Sequence, residues 1–375
     1  AATRPAAPQA DLRFQALADQ YITGLARLAP VYGTMLGDHR HDSQLSDPSA
    51  AGRAARLRET QHLLTMLGQI DPLRLSRDNQ VDYRLLVNQL RYDQWSATQL
   101  QDWAWNAQIY NDEAAGSLYS LAARDFAPWA DRLKSATARM EALPAFLLEG
   151  RKQLDPARVP PIFAQTVAKQ NAGIVEIAEN MLAPHAGELS GADRARFDTA
   201  LAALKVAVAD QQKWLDTVLV PQAKGDFRLG AKLYDQKMQF ALLSTMTRPE
   251  LKDRALKAKA DIRAEMYALS RQVLAGKIAD LPMPDNPTAD QQQAVIEQAL
   301  ALSYAKHPAR ADVEQKARET LAEATDFVRA KGFIRMPDGP VKVRPSLFNR
   351  ATTFGSSVLL KSMPQSSGAC STIFS

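Results

Sequence analysis

The sequence has almost no cysteine and no long apolar run. Its single cysteine is Cys370, so neither an internal disulfide nor a zinc site built from several thiolates can form within one chain. No uninterrupted apolar stretch approaches the ~20 residues that a membrane-spanning helix needs, and we therefore predict no membrane span. Apolar residues nevertheless make up 46% of the chain, an ordinary share for a protein with a buried core.

Motifs of the common enzyme classes are also missing. The chain has no G-x-S-x-G nucleophile elbow, no phosphate-binding P-loop and no dinucleotide fingerprint. None of its five histidines belongs to the H-E-x-x-H pair of a zinc-peptidase helix. The sequence alone therefore assigns no catalytic residue, and it predicts no cofactor unless the chain proves to be a zinc enzyme.

Positive charge is concentrated near the carboxyl end. The net charge is +5, but the four basic residues after Gly339 are accompanied by no acid, so residues 1–338 carry a net charge of only +1. In that body Arg and Lys are interleaved with Asp and Glu, a pattern typical of solvated helix faces rather than of a surface that follows phosphates. We expect no nucleic-acid partner.

Apolar residues recur with helical spacing through nearly the whole chain, whereas no alternating β-branched run stands out. The pattern predicts an all-α fold, an irregular multi-helix bundle of about nine to twelve helices with no significant sheet. Pro144 is expected to separate a helix over residues 128–143 from the next one. Residues 161–182 are expected to form one long helix.

Two capping boxes predict where helices begin in the second half of the chain. Thr247 is followed three residues later by Glu250, and Thr288 by Gln291. At this spacing the Thr hydroxyl and the Glu or Gln side chain satisfy each other's exposed backbone donors. We expect helices from these points to about Leu274 and about Tyr304.

Composition predicts three regions. Residues 1–8 should be a disordered N-terminal segment and residues 9–338 a helical domain, with a boundary between two lobes near 280–288, where prolines and turn formers cluster. Residues 339–375 form a Ser-rich tail in which helical spacing stops. That tail is either a flexible terminus or the product of a reading-frame change near Val343.

The strongest metal-site candidate is the short polar motif around His39. His39 and His41 bracket one residue, with Asp42 beside them, and such a pair can chelate a metal if a third ligand comes from elsewhere. The alternative is a hydrogen-bonded loop that fixes the connection between two helices.

An aromatic-rich segment suggests a binding cleft. Its candidate lining residues are Trp103, Trp105, Tyr110, Tyr119, Arg124 and Asp125. Aromatic side chains at this density line ligand clefts, but they also pack helix junctions. Arg124 and Asp125 are expected to form an ion pair that holds such a junction.

Several segments taken together resemble one bacterial family, the exported or lipoprotein-like proteins catalogued as domain of unknown function 885. These segments are Pro30-Val-Tyr-Gly-Thr-Met-Leu-Gly-Asp-His39, Asp82-Tyr-Arg-Leu-Leu86, Arg124-Asp-Phe-Ala-Pro128, Arg139-Met-Glu-Ala142, Ile262-Arg-Ala-Glu-Met-Tyr267, Lys306-His307-Pro308, Phe327-Val-Arg-Ala-Lys331 and Met336-Pro337-Asp338. The resemblance covers roughly residues 10–343.

The resemblance implies a mostly helical fold and a relation to gluzincin-type zinc peptidases. The metal site of such proteins lies in a C-terminal half around a Pro-Gly-His segment, which nothing in this chain matches. His39 stands where the family often has His, whereas His41 departs from its usual aromatic. The resemblance thus implies an N-terminal region without the catalytic half.

We therefore expect a periplasmic or secreted helical protein, not catalytic in this form, that binds a peptide or protein, at a host interface if the organism is pathogenic. The start of the chain at Ala1 without an initiator Met fits signal-peptide cleavage. The rival function is a metal-dependent hydrolase whose site is completed by a further half or a partner. Self-association is expected if apolar surface is left exposed.

Overall fold

The protein is described by a computed structural model, which covers residues 9–278, 280–336, 339, 341–343 and 359–360. The described residues up to Leu243 form one compact unit, and those from Ser244 to Leu360 form a second. The predicted N-terminal segment 1–8 and most of the predicted tail 339–375 lie outside the described residues.

The fold is all-α, as predicted. Twelve of the helices in the described residues have seven or more residues, at the upper end of the predicted number. Beyond the helices, the described part of the chain contains one antiparallel pair of two-residue strands, β1 (Val341–Lys342) and β2 (Leu359–Leu360).

The first unit consists of eleven α-helices among the described residues. They are α1 (Gln9–Leu28), α2 (Pro30–Leu36), α3 (Ala50–Leu67), α4 (Arg77–Trp95), α5 (Gln108–Ala122), α6 (Trp129–Gln153), α7 (Pro161–Gln170), α8 (Gly173–Ile177), α9 (Gly191–Trp214), α10 (Val220–Gln222) and α11 (Gly230–Leu242). Three π-helical turns, at Ser96–Leu100, Ala178–Leu182 and Leu215–Leu219, directly follow α4, α8 and α9.

Two apolar clusters hold this unit together. The larger one is formed mainly by helices α5 to α9 and includes the fully buried Leu118, Leu143, Ile174 and Phe197. The smaller one joins α1, α3 and α4 through residues such as Phe14, Leu63 and Leu90. A fully buried side chain of this size contributes about 1.5–3 kcal/mol relative to an exposed one.

Two helix boundaries differ from those that the sequence predicts. Pro144 lies inside α6, which continues to Gln153, because the residues after it, including Phe146 and Leu147, are buried against the larger cluster. The single helix expected over 161–182 is instead divided into α7, α8 and a π turn. Both predictions were wrong in detail because tertiary packing outweighs the local preference.

The second unit begins with a capped helix. It consists of α12 (Arg248–Leu274), α13 (Ala289–Tyr304) and α14 (Val313–Lys331), followed by the strand pair. Both predicted capping boxes are present: the Thr247 and Thr288 hydroxyls accept from the backbone N–H groups of Glu250 and Gln291, whose side chains accept from the Thr backbones. The segment near 280–288, where the sequence predicts a boundary between lobes, joins α12 to α13.

Candidate functional site

The His39 motif lies in the loop between α2 and α3, and its side chains are hydrogen-bonded. His39 Nδ1 is 2.9 Å from Asp42 Oδ2, and Thr34 Oγ1 donates to Asp42 Oδ1 at 2.6 Å. The imidazole also stacks on Phe126, with ring centroids 3.7 Å apart and an interplanar angle of 8°. His39 is therefore fixed by a carboxylate on one edge and an aromatic ring on one face.

Arg139 connects this loop to the larger core. Its fully buried guanidinium donates to Thr34 Oγ1 at 2.7 Å, to the Gln44 carbonyl at 3.1 Å and to the Ser117 carbonyl at 2.6 Å. Burial lowers the pKa of Arg139 to about 10, while the negative charges of Asp42 and Glu113 act in the opposite direction. This network is the hydrogen-bonded loop that the sequence offered as an alternative.

The motif does not assemble a metal centre by itself. His41 Nδ1 is buried and has no hydrogen-bond partner among the described residues. Within that same part of the chain, no three His, Cys, Asp or Glu side chains come close enough together to hold a metal ion. His39 and Asp42 thus supply at most two groups, and His41 does not join them.

The predicted aromatic cleft is mostly a packed helix junction. Trp105 donates its indole N–H to the Leu100 carbonyl at 3.0 Å and stacks near Phe163. Tyr110 is buried, donates to the Trp103 carbonyl at 2.7 Å, and borders a cavity of only about 10 Å³. Tyr119 packs against the larger cluster. These three rings therefore pack the helix junction.

Arg124 and Asp125 hold different parts of the junction. Arg124 donates to the Met35 carbonyl at the end of α2, at 2.5 Å, whereas Asp125 lies 3.6 Å from Arg132 Nη2. Arg132 also places its guanidinium 3.7 Å from the ring centroid of Trp129. Asp125 therefore pairs with Arg132 rather than with Arg124.

Trp103 is different, because it borders a cavity of about 330 Å³ in the first unit. We name it the α1–α3–α4 cavity, since these helices supply most of its walls, with Ser96 and Ala97 of the first π turn and Asp102 closing one side. Ligand pockets usually measure about 300–1,000 Å³. This cavity is at the small end of that range, enough for roughly one or two amino-acid residues.

One wall of the cavity carries arginine and tryptophan. The Arg53 guanidinium lies over the Trp103 ring, with its carbon 3.9 Å from the ring centroid, and donates to the Pro48 carbonyl and to Gln153 Oε1. Arg56 donates to the Asp47 carbonyl at 2.9 Å. Burial lowers the pKa of Arg56, an effect that the charges of Asp47 and Glu113 partly offset. Both cations are thus already bonded to the loop before α3, and Arg53 also to the end of α6.

Another wall carries carboxyl groups and tyrosines. Burial raises the pKa of Asp93 to about 6, although a hydrogen bond from Gln89 acts in the opposite direction. Burial also raises the pKa of Asp102, which hydrogen bonds and the charge of Lys237 partly offset. The pKa of Tyr21 is raised by burial and by the negative charge of Asp93. Glu59 is the third carboxylate of the lining.

The sequence pointed to Trp103 but missed the other residues of this cavity. A signal for Asp93 was present in α4, because Leu86, Leu90 and Asp93 follow one another at spacings of four and three and so lie on the same helix face. Leu86 and Leu90 are 4% and 1% exposed. An acidic side chain in line with buried apolar residues costs free energy unless it is hydrogen-bonded or paired with a cation. Its position therefore identifies Asp93 as a candidate functional residue.

Comparison with a solved structure supports the fold. A protein from Shewanella oneidensis, described as a candidate lipoprotein of unknown function, has a TM-score of 0.69 and 25% sequence identity to this chain. The alignment covers 94% of this chain and 65% of the Shewanella protein, so this chain spans somewhat less than two thirds of that relative. A search of curated proteins gives no match.

A family model extends the comparison to sequence. It matches residues 30–357 and describes a bacterial protein of unknown function, DUF885. The match runs past Val343, where the resemblance noted in the sequence ends, so the first part of the tail 339–375 lies inside the matched region. Because the match covers most of the chain, this protein belongs to the DUF885 family of bacterial proteins of unknown function.

Proposed function

We propose that this protein is an exported helical binding protein, periplasmic or secreted, that binds a peptide or protein segment in the α1–α3–α4 cavity. The observation that carries the proposal is the cavity of about 330 Å³ with aromatic, apolar and charged residues in its lining. Ligand sites combine an apolar body with a few polar groups that set orientation.

The lining of the cavity suits a peptide. Leu25, Leu28 and Leu57 offer apolar surface, and Tyr21 and Trp103 offer aromatic surface. Tyr and Trp contribute large contact areas at a small cost in conformational entropy, which explains their frequency in binding sites. The carboxylates and arginines can meet the polar groups of a peptide.

An exported location is proposed from the relative described as a lipoprotein. None of the helices in the described ranges is long and apolar enough to cross a membrane. A binding protein in the envelope or outside it would meet peptides of the bacterium itself or, in a pathogen, segments of host proteins.

A metal-dependent hydrolase is the second candidate, and the geometry of His39 favours it. His39 uses Nδ1 for its bond to Asp42, which leaves Nε2 available, and metal-binding histidines are commonly oriented by a carboxylate in this way. Further ligands would come from a partner or from sequence beyond this chain. Zinc analysis of the purified protein and of His39→Gln tests it: stoichiometric zinc that the substitution abolishes supports the hydrolase over the binding protein.

Peptide selection tests the proposed binding function. The full chain is immobilised and a phage-displayed library of random dodecapeptides is selected on it, after which enriched peptides are synthesised and titrated by fluorescence anisotropy. We expect micromolar binding that falls at least about tenfold, or about 1.4 kcal/mol, in Ala97→Phe, which fills the cavity. Gln99→Phe adds a ring to the same π turn at an exposed position outside the lining and should leave binding unchanged.

Two results would count against this function. If no peptide is enriched, the protein does not bind peptides. If the enriched peptides bind Ala97→Phe as well as the original protein, they bind elsewhere and the cavity is not the site.

A further inference from the structure

The three carboxylates of the α1–α3–α4 cavity differ in the cations and hydrogen-bond donors that lie near them. Glu59 lies 3.9 Å from Arg27 Nη2 and 3.5 Å from Gln20 Nε2. Asp102 is influenced by the charge of Lys237. Asp93 accepts one hydrogen bond, from Gln89 Nε2 at 2.8 Å, and forms no ion pair within the described part of the chain.

Neither of the two arginines in the lining forms an ion pair with Asp93. Arg53 is bonded to the Pro48 carbonyl and Gln153 and lies over Trp103, and Arg56 is bonded to the Asp47 carbonyl. Neither cation contributes to the shift in the pKa of Asp93, which burial dominates. A desolvated carboxylate without a cation is costly, and a cationic group entering the cavity would remove that cost.

Aromatic rings near Asp93 fit the same ligand group. Tyr21 and Tyr92 both line the cavity, and Tyr92 directly precedes Asp93 in α4. Burial raises the pKa of both phenols; the charge of Asp93 adds to this increase at Tyr21, and the charges of Asp102 and Asp93 add to it at Tyr92. Rings beside a carboxylate bind ammonium groups through the negative face of the π system.

We propose that Asp93, in a cavity that Tyr21 and Tyr92 also line, binds the ammonium group of a peptide. The inference rests on the proposed peptide-binding function and names the chemical group that the cavity selects. That group is either the free amino terminus or a lysine side chain. In both cases the ammonium donates hydrogen bonds to the partly buried Asp93 carboxylate and forms a charge-assisted pair with it.

Three tetrapeptides, all amidated at the carboxyl end, separate the outcomes. Ac-Ala-Lys-Ala-Ala-NH2 carries a side-chain ammonium, Ala-Ala-Ala-Ala-NH2 a terminal ammonium, and Ac-Ala-Gln-Ala-Ala-NH2 no charge. Each is titrated by calorimetry at pH 7.5 into the full chain, into Asp93→Asn, and into Asp112→Asn, a carboxylate of α5 outside the lining. Circular dichroism verifies that each variant is folded.

We expect at least one ammonium peptide to bind about tenfold or more tightly than the neutral peptide. Asp93→Asn should abolish that preference and leave the neutral peptide unaffected, whereas Asp112→Asn should retain it. The ammonium peptide that binds more tightly shows whether the site takes a lysine side chain or a free amino terminus. Equal binding of all three peptides, or a preference that survives in Asp93→Asn, overturns the ammonium site but not peptide binding. If none of the peptides binds and library selection also fails, the proposed function falls, and this inference with it.

Discussion

Arg139 Nη2 donates a hydrogen bond to Thr34 Oγ1 at 2.7 Å, and Thr34 Oγ1 in turn donates to Asp42. The two residues are 105 positions apart in the chain and join the loop after α2 to the middle of α6. The arginine is completely buried. The guanidinium therefore bonds three elements of the first unit to α6: α2 through Thr34, the loop after α2 through Gln44, and α5 through Ser117.

Replacing Arg139 should destabilise the protein strongly. Arg139→Met retains apolar volume but leaves the Gln44 and Ser117 carbonyls and Asp42 without their cation, and breaking a buried charged network costs about 3–5 kcal/mol. Urea denaturation followed by circular dichroism measures the loss. Arg196→Met removes an exposed arginine that pairs with Glu141 and should change the midpoint far less. Similar midpoints for the two variants would show that the Arg139 network does not stabilise the fold.

Asp93 should make stability depend on pH. Its folded pKa of about 6 lies above the usual value of 3.8, so ionisation costs more in the folded state than in the unfolded one. The penalty is absent below pH 3.8, grows as the pH rises through 3.8 towards 6, and is complete above about 6.

Asp93→Asn removes this penalty without changing the size of the side chain. We expect the variant to be more stable than the original at pH 8, by roughly 1–3 kcal/mol, and the difference to shrink at pH 5. Thermal melts at the two pH values measure it. A variant that is less stable at pH 8, or a difference that does not vary with pH, would contradict a raised pKa.

Removing the capping box of α13 should destabilise the start of that helix. Thr288→Ala removes the hydroxyl that accepts from the Gln291 backbone N–H at 3.3 Å, and loss of such a cap costs about 1 kcal/mol. Hydrogen exchange should become several-fold faster for the amides at the start of α13. Thr320→Ala serves as the control, because the Thr320 hydroxyl lies within α14 and bonds the Lys316 carbonyl. Unchanged exchange in Thr288→Ala would show that the box is not stabilising.

Self-association, expected from the sequence, also stays a prediction. Exposed apolar side chains at Ile262, Met266, Leu269 and Val273 on α12 follow one another at spacings of four, three and four, the heptad pattern by which two helices pack. We expect a concentration-dependent dimer in light scattering after gel filtration, and a monomer for Leu269→Lys. A monomer at every concentration would exclude this pairing.

Features with local causes could be predicted from the sequence. The Thr247 and Thr288 caps depend on residues three positions apart, and the all-α fold depends on periodicity along the chain. Pro144 was predicted to end a helix, and that was wrong because burial of Phe146 and Leu147 keeps α6 continuous. The cavity could not be predicted, because its walls come from residues as distant as Tyr21 and Trp103.

The length of the π turn at Ser96–Leu100 affects the shape of the cavity. A π turn holds one more residue than an α turn. Ser96 and Ala97 of this turn line the cavity, whereas the buried residues of the two apolar clusters lie on other elements. Loss of one residue from this turn would therefore reshape the cavity while the residues of both apolar clusters stay the same.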